Sequence, residues 1–212
     1  MRTIAIGAVL LAAAAACAQA QQWEFGGLGG GAFLNDVTVT APAGSATAGF
    51  QPGVVAGAFL GQNISNHIGG EVRYEYFQSN LELKHGGASP TFSGQAHAVH
   101  YDLLIHSHSK TSSVQFFGAV GGGVKLFRGT GTETVQQPLY QYGYFTKTQA
   151  IKPMFDVGGG VRFSIAKRLF LRVEVRDFIT GFPTQVLTPP GNAKYGSILQ
   201  DIVPMVGVSY AF

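Results

Sequence analysis

The alternation of apolar residues with small or charged residues is the feature that most constrains how this chain folds. Between Ala150 and Ile165 the sequence reads AIKPMFDVGGGVRFSI, with Phe155 and Val157 on one side of the alternation and Asp156 and Arg162 on the other. Successive side chains of a β-strand point to opposite faces. The stretch therefore predicts one long strand with an apolar face and a polar face.

The same period of two recurs along the chain. Eight segments show it, at about residues 22–35, 49–61, 68–79, 94–107, 113–128, 150–165, 168–178 and 197–212. The first two are the least clear, because glycine blurs the difference between their faces. Most of the segments exceed the roughly five or six residues of a strand in a globular sheet. They reach the roughly 9–11 residues of a strand that crosses a membrane.

The connections between these segments alternate in length. Short links follow the second, fourth and sixth segments, at about residues 62–67, 108–112 and 166–167. Longer links rich in Gly, Pro, Thr and Ser follow the others, at about residues 36–48, 80–93, 129–149 and 179–196. Short turns on one rim and long loops on the other are typical of outer-membrane β-barrels, whose short turns are periplasmic.

The first twenty residues, MRTIAIGAVLLAAAAACAQA, have the pattern of a secretory signal. Arg2 precedes an apolar run, and Ala18 and Ala20 form a small-x-small cleavage site. We therefore predict a signal peptide over residues 1–20, with cleavage after Ala20. A membrane anchor helix and a lipoprotein signal at Cys17 are the alternatives.

Composition excludes several classes of function. Charged residues make up 12% of the chain, against about 25% in soluble domains. Beyond residue 20, no apolar run approaches the roughly 18 residues of a membrane helix. The single cysteine lies in the signal, so disulfide and thiol chemistry are not expected in the exported part. The formal net charge is +3 without a basic run, which gives no indication of nucleic-acid binding.

These features together resemble the small eight-stranded outer-membrane β-barrel family, the OmpA-like and OmpX-like barrels. The tail VGVSYAF adds to the likeness, because Tyr210 and Phe212 are aromatic at alternate positions. The resemblance implies an all-β, eight-stranded antiparallel transmembrane up-and-down barrel over residues 21–212, in the bacterial outer membrane and surrounded by its lipid. It also implies that Tyr210 and Phe212 are read by the barrel-assembly machinery, and that no peptidoglycan-binding domain follows.

Three glycine triplets raise the question of a phosphate-binding loop. They occur in LGGGAFL (28–34), VGGGVKLF (120–127) and VGGGVRFSI (157–165). A nucleotide loop opens a helix, whereas each of these triplets lies inside a predicted strand. The interior of an eight-stranded barrel is just wide enough for side chains to fill. Glycine is therefore expected to make room there for larger neighbours, and no cofactor is predicted.

The polar faces of the predicted strands carry both signs of charge in nearly equal number. Buried charges must be paired, so we expect an internal salt-bridge network that plugs the lumen. A narrow conducting pore is the alternative. The expected lumen residues are Glu71, Arg73, Glu75, His100, Asp102, Lys125, Lys152, Asp156, Arg162, Arg172, Glu174, Arg176 and Asp201.

Histidines suggest neither a metal site nor an active site. His97 and His100 have opposite parity, and His100 and His106 are about 20 Å apart at roughly 3.3 Å per residue. Only His106 and His108 are close, at a turn. Some eight-stranded barrels deacylate lipid A with a His-x-Ser pair on the lipid-facing surface. The present HSHS sequence at 106–109 departs from that pattern, so we predict no enzyme.

The loop from Gly129 to Gln149 is the most informative exposed segment. The candidate residues for contact with a surface partner are Tyr140, Tyr142, Tyr144 and Phe145. The three tyrosines share parity, which suggests a hairpin that protrudes as a ribbon; an outer aromatic girdle is the alternative. The sequence thus predicts a structural or surface-interaction barrel, with a narrow pore or a lipid A-modifying enzyme as alternatives. A soluble lipocalin-like barrel would have the two faces reversed.

Overall fold

The computed structural model describes residues 22–107 and 112–212 of the chain. The predicted signal peptide, with Ala18 and Ala20, lies outside the described residues, as does His108. Within the described ranges, no helix is long and apolar enough to cross a membrane.

The described regular elements are β-strands. In chain order they are β1 (Gln22–Leu34), β2 (Val37–Ala41), β3 (Gly44–Phe50), β4 (Gly53–Asn63), β5 (Ile68–Gln78), β6 (Leu81–Lys84), β7 (Thr91–Phe92), β8 (Gly94–His106), β9 (Val114–Gly129), β10 (Tyr144–Phe145), β11 (Gln149–Ala166), β12 (Leu169–Gly181), β13 (Leu187–Thr188), β14 (Lys194–Tyr195) and β15 (Ile198–Ala211).

Eight long strands close into a barrel in the order β1-β15-β12-β11-β9-β8-β5-β4. All neighbours are antiparallel, and the first strand closes on the last, with Phe25 opposite Tyr210 and Gly27 opposite Val208. Closure pairs the backbone groups of every strand, which hydrocarbon requires. The predicted fold class is confirmed, and the eight predicted segments coincide with the eight barrel strands to within a few residues.

The two faces of the barrel have the polarity expected in a membrane. Val173 and Val206 are 39% and 53% exposed on the outside. Arg172, Glu174 and Arg176, which alternate with the apolar positions of β12, are at most 3% exposed and lie in the lumen. A lipocalin-like barrel has the opposite arrangement, so that alternative is excluded.

Glycine makes room for the lumen side chains at close approaches between neighbouring strands. A Cβ atom on Gly121 would collide with the carboxylates of Asp102 and Asp156. One on Gly158 would meet the backbone of Val175 and the side chain of Arg176. The triplets in β9 and β11 therefore have the packing role that the sequence predicted for them.

The long connections form two further sheets beyond the barrel, which together we call the cap. One has the order β14-β2-β3-β6-β7 and the other pairs β10 with β13. The sequence analysis treated these segments as loops. Val39, Leu81, Leu83 and Leu187 are completely buried in the cap, where they join one hydrophobic core with barrel residues such as Phe127. This packing is what orders the segments.

The prediction that the fifth and sixth barrel strands continue as a protruding ribbon is wrong. The β9–β11 ladder stops at Arg128 and Gln149, and turns and irregular backbone follow up to residue 143. Tyr142 is 2% exposed, whereas Tyr140 is 59% exposed. The three tyrosines do not face the same side, because the Tyr142 hydroxyl turns inward and donates to the Ala43 carbonyl, at 3.0 Å.

Substitution of Val206 by arginine tests the polarity of the barrel wall. Val206 lies midway between Gln200 and Phe212 on the outer face of β15. A charge at the middle of the lipid-facing surface costs about 2–4 kcal/mol. We expect Val206→Arg to lower the free energy of unfolding in lipid vesicles by about that amount, measured by urea titration. Val135→Arg, at a fully exposed position between β9 and β10, is the control and should have no effect; equal effects would contradict the assignment.

Candidate functional site

The lumen of the barrel is the most densely charged part of the molecule. Alternation along β5 points Glu71, Arg73 and Glu75 inward, and the same period does so for Arg172 and Glu174 on β12. All the predicted lumen residues except Lys152 are buried. Lys152 is half-buried and belongs to none of the ion pairs found within the described residues.

Three arginines meet around Glu71 at the centre of this cluster. Arg172 contacts both oxygens of the Glu71 carboxylate, with its Nη1 2.8 Å from Oε2 and its Nη2 2.9 Å from Oε1. Arg73 and Arg176 each place a guanidinium nitrogen 3.0 Å from the same carboxylate. Such two-pronged pairing satisfies donors and acceptors together and fixes their orientation.

Glu174 joins two of the same arginines from the neighbouring position on β12. Its Oε1 lies 2.6 Å from Arg73 Nη2 and its Oε2 lies 2.7 Å from Arg172 Nε. Arg73 is also 2.8 Å from Glu75. These side chains thus form a connected network, and removal of any one of them leaves its neighbours with one partner fewer.

Aromatic rings line the remaining surface of the charged side chains. Arg172 lies over Phe117 at 4.3 Å from the ring centroid, and Arg162 lies over Phe170 at 3.6 Å. Nearer the cap, the Lys125 ammonium is 2.7 Å from Asp201 and 3.8 Å from the centroid of Phe77. Cation–π contacts of this kind are strongest where water is excluded.

His100 bridges three carboxylates deeper in the same network. Its Nδ1 lies 2.6 Å from Asp102 and 3.2 Å from Asp156, and its Nε2 lies 3.0 Å from Glu75. A neutral imidazole donates from only one nitrogen, whereas the imidazolium donates from both. The geometry therefore fits a positively charged His100.

The charge count of the lumen supports the same protonation state. Seven carboxylates are buried there with five arginine or lysine side chains, and a protonated His100 makes the sixth cation. The acids are Glu24, Glu71, Glu75, Asp102, Asp156, Glu174 and Asp201, and the permanent cations are Arg73, Lys125, Arg162, Arg172 and Arg176.

Glu24 is a lumen residue that the sequence analysis missed. It is 4% exposed on β1, where it pairs with Arg162 at 3.0 Å and accepts a hydrogen bond from Ser209 at 2.6 Å. The sequence feature that indicates its inward orientation is the pair of apolar neighbours, Trp23 and Phe25. The glycines that follow on β1 interrupt the alternation, so this feature was not recognised.

One group of potential metal ligands occurs within the described residues. Ligand atoms of His100, Asp102 and Asp156 lie within 4.8 Å of one another. Arg176 Nη1 is 2.9 Å from Asp102 and 3.0 Å from Asp156. This guanidinium group and the His100 ring already supply positive charge at that position, so the residues do not fit an additional cation.

Two small cavities, of about 10 Å³ each, occur inside the described part of the barrel. One touches Glu71 and Arg172, and the other touches Phe77 and Lys125. A volume of this size holds about one water molecule.

Tyr142 anchors the predicted interaction loop to the cap. Its hydroxyl is 3.0 Å from His85 Nε2, and its carbonyl accepts a hydrogen bond from the Tyr195 hydroxyl at 2.8 Å. Burial raises the pKa of Tyr195, so this hydroxyl keeps its proton and remains a donor. Phe145 also packs inward and stacks on Phe92, at 5.6 Å between ring centroids.

The segment 135–144, which we call the cap loop, is held in shape by its own residues. The Gln137 side-chain amide donates to the Phe145 carbonyl at 2.9 Å and accepts from the Phe145 amide at 2.8 Å. Leu139 adopts a left-handed conformation with φ of 60°. The loop borders a groove of about 700 Å³, and Tyr140 and Tyr144 lie 6.5 Å apart on it.

Of the other residues considered in the sequence analysis, His106 lies inside the barrel, whereas Tyr210 and Phe212 lie on its outer face. His106 is buried in the lumen beside Phe117, at 6.1 Å between ring centroids. It is therefore not on the lipid-facing surface, where a deacylase of the type considered above has its histidine. Tyr210 and Phe212 are 48% and 59% exposed, and they point outward at the short-turn rim.

Comparison with known proteins identifies the family. The family described as "Outer membrane protein beta-barrel domain" matches residues 6–212. The chain belongs to this family. The resemblance inferred from the alternation, the loop lengths and the tail is therefore confirmed, as is the location in the bacterial outer membrane. No curated protein matches the chain significantly.

Two solved structures of other outer-membrane barrels share the fold at low sequence identity, and a third matches less closely. A major outer membrane protein from Thermus thermophilus is 11% identical over 91% of this chain and 99% of its own, with a TM-score of 0.54. Neisserial surface protein A is 12% identical over 90% of this chain and 97% of its own, with a TM-score of 0.51. The N-terminal barrel domain of Pseudomonas aeruginosa OprF is 12% identical over the same two shares, with a TM-score of 0.48.

Exchanging the charges of Glu24 and Arg162 tests whether their contact is a true ion pair. Loss of one partner of a buried pair costs about 3–5 kcal/mol, so Glu24→Arg alone is expected to lower the free energy of unfolding at least that much. The double variant Glu24→Arg/Arg162→Glu restores opposite charges and should recover part of the loss. Urea titration of the single and double variants in vesicles measures the recovery. Strictly additive losses would contradict the pairing.

Proposed function

We propose that the protein is a surface-interaction barrel whose lumen is plugged and whose cap contacts a partner. The barrel holds the cap at the cell surface, and the cap loop presents the contact. The exposed aromatic pair Tyr140 and Tyr144 on a preordered loop is the observation that carries this proposal.

The network of buried ion pairs supports a plugged lumen. Arg73, Arg172 and Arg176 reach carboxylates on other strands across the interior. A permeating solute would have to displace several of these contacts at once, and each ion left without its partner costs several kcal/mol. Each of the two small cavities described above holds about one water molecule and is too small for a hydrated ion.

The composition of the cap loop supports contact with another macromolecule. Residues 134–146 include no charged side chain. Val135 and Tyr140 are exposed to solvent, and tyrosine is enriched where proteins bind each other. The hydrogen bonds of Gln137 reduce the entropy that the loop would lose on binding.

We further propose that residues 1–20 are removed on export and that the mature barrel, 21–212, is recognised by the assembly machinery through Tyr210 and Phe212. The outward orientation of both rings at the short-turn rim supports this role. A narrow pore remains the second candidate for function, because the charged lumen would favour ions if it opened. We assign no catalytic role to the barrel.

Replacing the two exposed tyrosines tests the contact role of the cap loop. We expect Tyr140→Ser/Tyr144→Ser to reduce the attachment of bacteria displaying the protein to cultured cells at least tenfold, because aromatic anchors dominate such contacts. The barrel should fold normally, since both side chains are exposed. Lys194→Ser, an exposed cap position outside the loop, is the matched control.

Two outcomes would contradict the proposal. The first is unchanged attachment of the double tyrosine variant, which would remove the cap loop from the interaction. The second is a large, steady, ohmic conductance of the wild-type protein in planar bilayers, which would replace the plugged lumen by the pore.

A further inference from the structure

The groove bordered by the cap loop is lined by aromatic rings together with side-chain amides. Tyr140 and Tyr144 supply the rings, and Gln136 and Gln141 supply two of the amides. The groove has a volume of about 700 Å³, which lies within the range of about 300–1,000 Å³ of sites that bind small molecules. It is therefore large enough for a ligand, and it carries polar groups that can orient one.

The two tyrosine rings form an open aromatic surface on the groove. Their centroids are 6.5 Å apart, and their planes are inclined by 35°. Tyr140 is 59% exposed and Tyr144 is 38% exposed. At this separation neither ring covers the other completely, so aromatic surface is left for a ligand.

The glutamines of the cap loop have two different roles. Gln137 bonds in both directions with the backbone of Phe145 and thereby belongs to the scaffold. Gln136 is exposed and Gln141 is half-buried, and neither side chain is hydrogen-bonded to another residue in the described part of the chain. Each of these two amides therefore keeps its N–H donors and its carbonyl acceptor for a ligand.

The backbone of the cap loop holds the groove open. The Leu139 carbonyl accepts from the amides of Tyr142 at 2.8 Å and Gly143 at 3.3 Å, which places the exposed Tyr140 and the buried Tyr142 on different sides of a tight turn. A bulky residue adopts the left-handed conformation of Leu139 only where the surrounding contacts impose it. The groove is thus preformed, and a ligand would not have to order it.

The lining of the groove carries no charge. Residues 134–146 include no acidic or basic side chain. The flanking residues Glu133 and Lys147 lie close together, because the Glu133 carboxylate accepts a hydrogen bond from the Lys147 backbone amide. Phosphate and sulfate groups are bound by guanidinium and ammonium groups, which the lining lacks. The groove therefore suits an uncharged ligand.

We propose that this groove binds an uncharged oligosaccharide, with two adjacent sugar rings on Tyr140 and Tyr144. The proposal rests on the surface-interaction role argued above and specifies what the cap loop contacts. The C–H groups on one side of a sugar ring pack against the face of an aromatic ring, which is negative. Sugar hydroxyl groups both donate and accept hydrogen bonds, as the amides of Gln136 and Gln141 do.

A proline-rich peptide is another ligand that docks in grooves lined by aromatic rings. Proline has no backbone N–H, so such a peptide presents many acceptors and few donors. A groove that fits it needs donors alone. The side chains of Gln136 and Gln141 offer an acceptor beside their donors, which matches hydroxyl groups better and favours the sugar.

Calorimetric titration of the purified protein, in a detergent without a sugar headgroup, tests the proposal. The uncharged probes are maltotetraose, cellotetraose and lacto-N-tetraose; a heparin tetrasaccharide and decaproline are the comparisons. We expect at least one uncharged probe to bind at millimolar concentration. Tyr140→Ser/Tyr144→Ser and Gln141→Leu should each weaken that binding about tenfold or more. Gln185→Leu, at an exposed glutamine outside the groove, is the matched control and should bind normally.

Four outcomes of the titration would overturn the proposal. They are the absence of binding by all three uncharged probes, unchanged binding by the tyrosine and glutamine variants, tighter binding of the heparin tetrasaccharide, and tighter binding of decaproline. The last would assign the groove to a peptide. Heat-modifiable gel mobility verifies that each variant is folded.

Inhibition of bacterial attachment separates this proposal from the surface-interaction role itself. We expect an excess of the bound tetrasaccharide to block attachment to cultured cells. Attachment that requires Tyr140 and Tyr144 but persists in excess sugar would leave the cap loop as the contact surface and refute the oligosaccharide. Attachment that requires neither tyrosine would instead contradict the surface-interaction role.

Discussion

The pairing of charges inside a closed barrel is the interaction on which the rest of the structure depends. An ion taken out of water loses several kcal/mol of solvation, and only close, two-pronged contacts such as that of Arg172 with Glu71 offset the loss. Glycine at Gly121 and Gly158 is the packing consequence, because the paired side chains need the space. With the polar groups locked inside, the outer face is left apolar and fits a membrane.

The interior changes its character from one end of the barrel to the other. Towards the short-turn rim it is ionic, with Glu24 and Arg162 as the outermost pair. Towards the cap it is apolar, since Phe77, Phe127 and Phe178 join one hydrophobic core with cap residues. Lys125 lies at the transition, held by Asp201 and by the ring of Phe77. The cap is therefore packed onto the barrel as an extension of its interior.

Much of the barrel was predictable because a strand between lipid and lumen enforces a strict period of two. That period predicted the eight strands, the arginines and glutamates that point inward, and the outward orientation of Tyr210 and Phe212. It did not locate Glu24, because the glycines after Phe25 carry no side chain to mark a face. It also failed for Tyr142, whose inward orientation depends on Ala43 and His85, residues distant in the chain. The short alternations Val37–Val39 and Leu81–Leu83 were too brief to distinguish the cap sheets from loops.

The cap sheets also restrict how the exposed part of the protein can change over time. A polar substitution at Leu81, Leu83 or Leu187 would open the apolar junction with the barrel, so we expect these positions to tolerate change as poorly as an internal core. The segment 132–136 has few such constraints, since all its side chains are exposed and Val135 is fully so. We therefore expect selection by antibodies or phages to concentrate substitutions in that segment, while the sequences of the surrounding sheets change little.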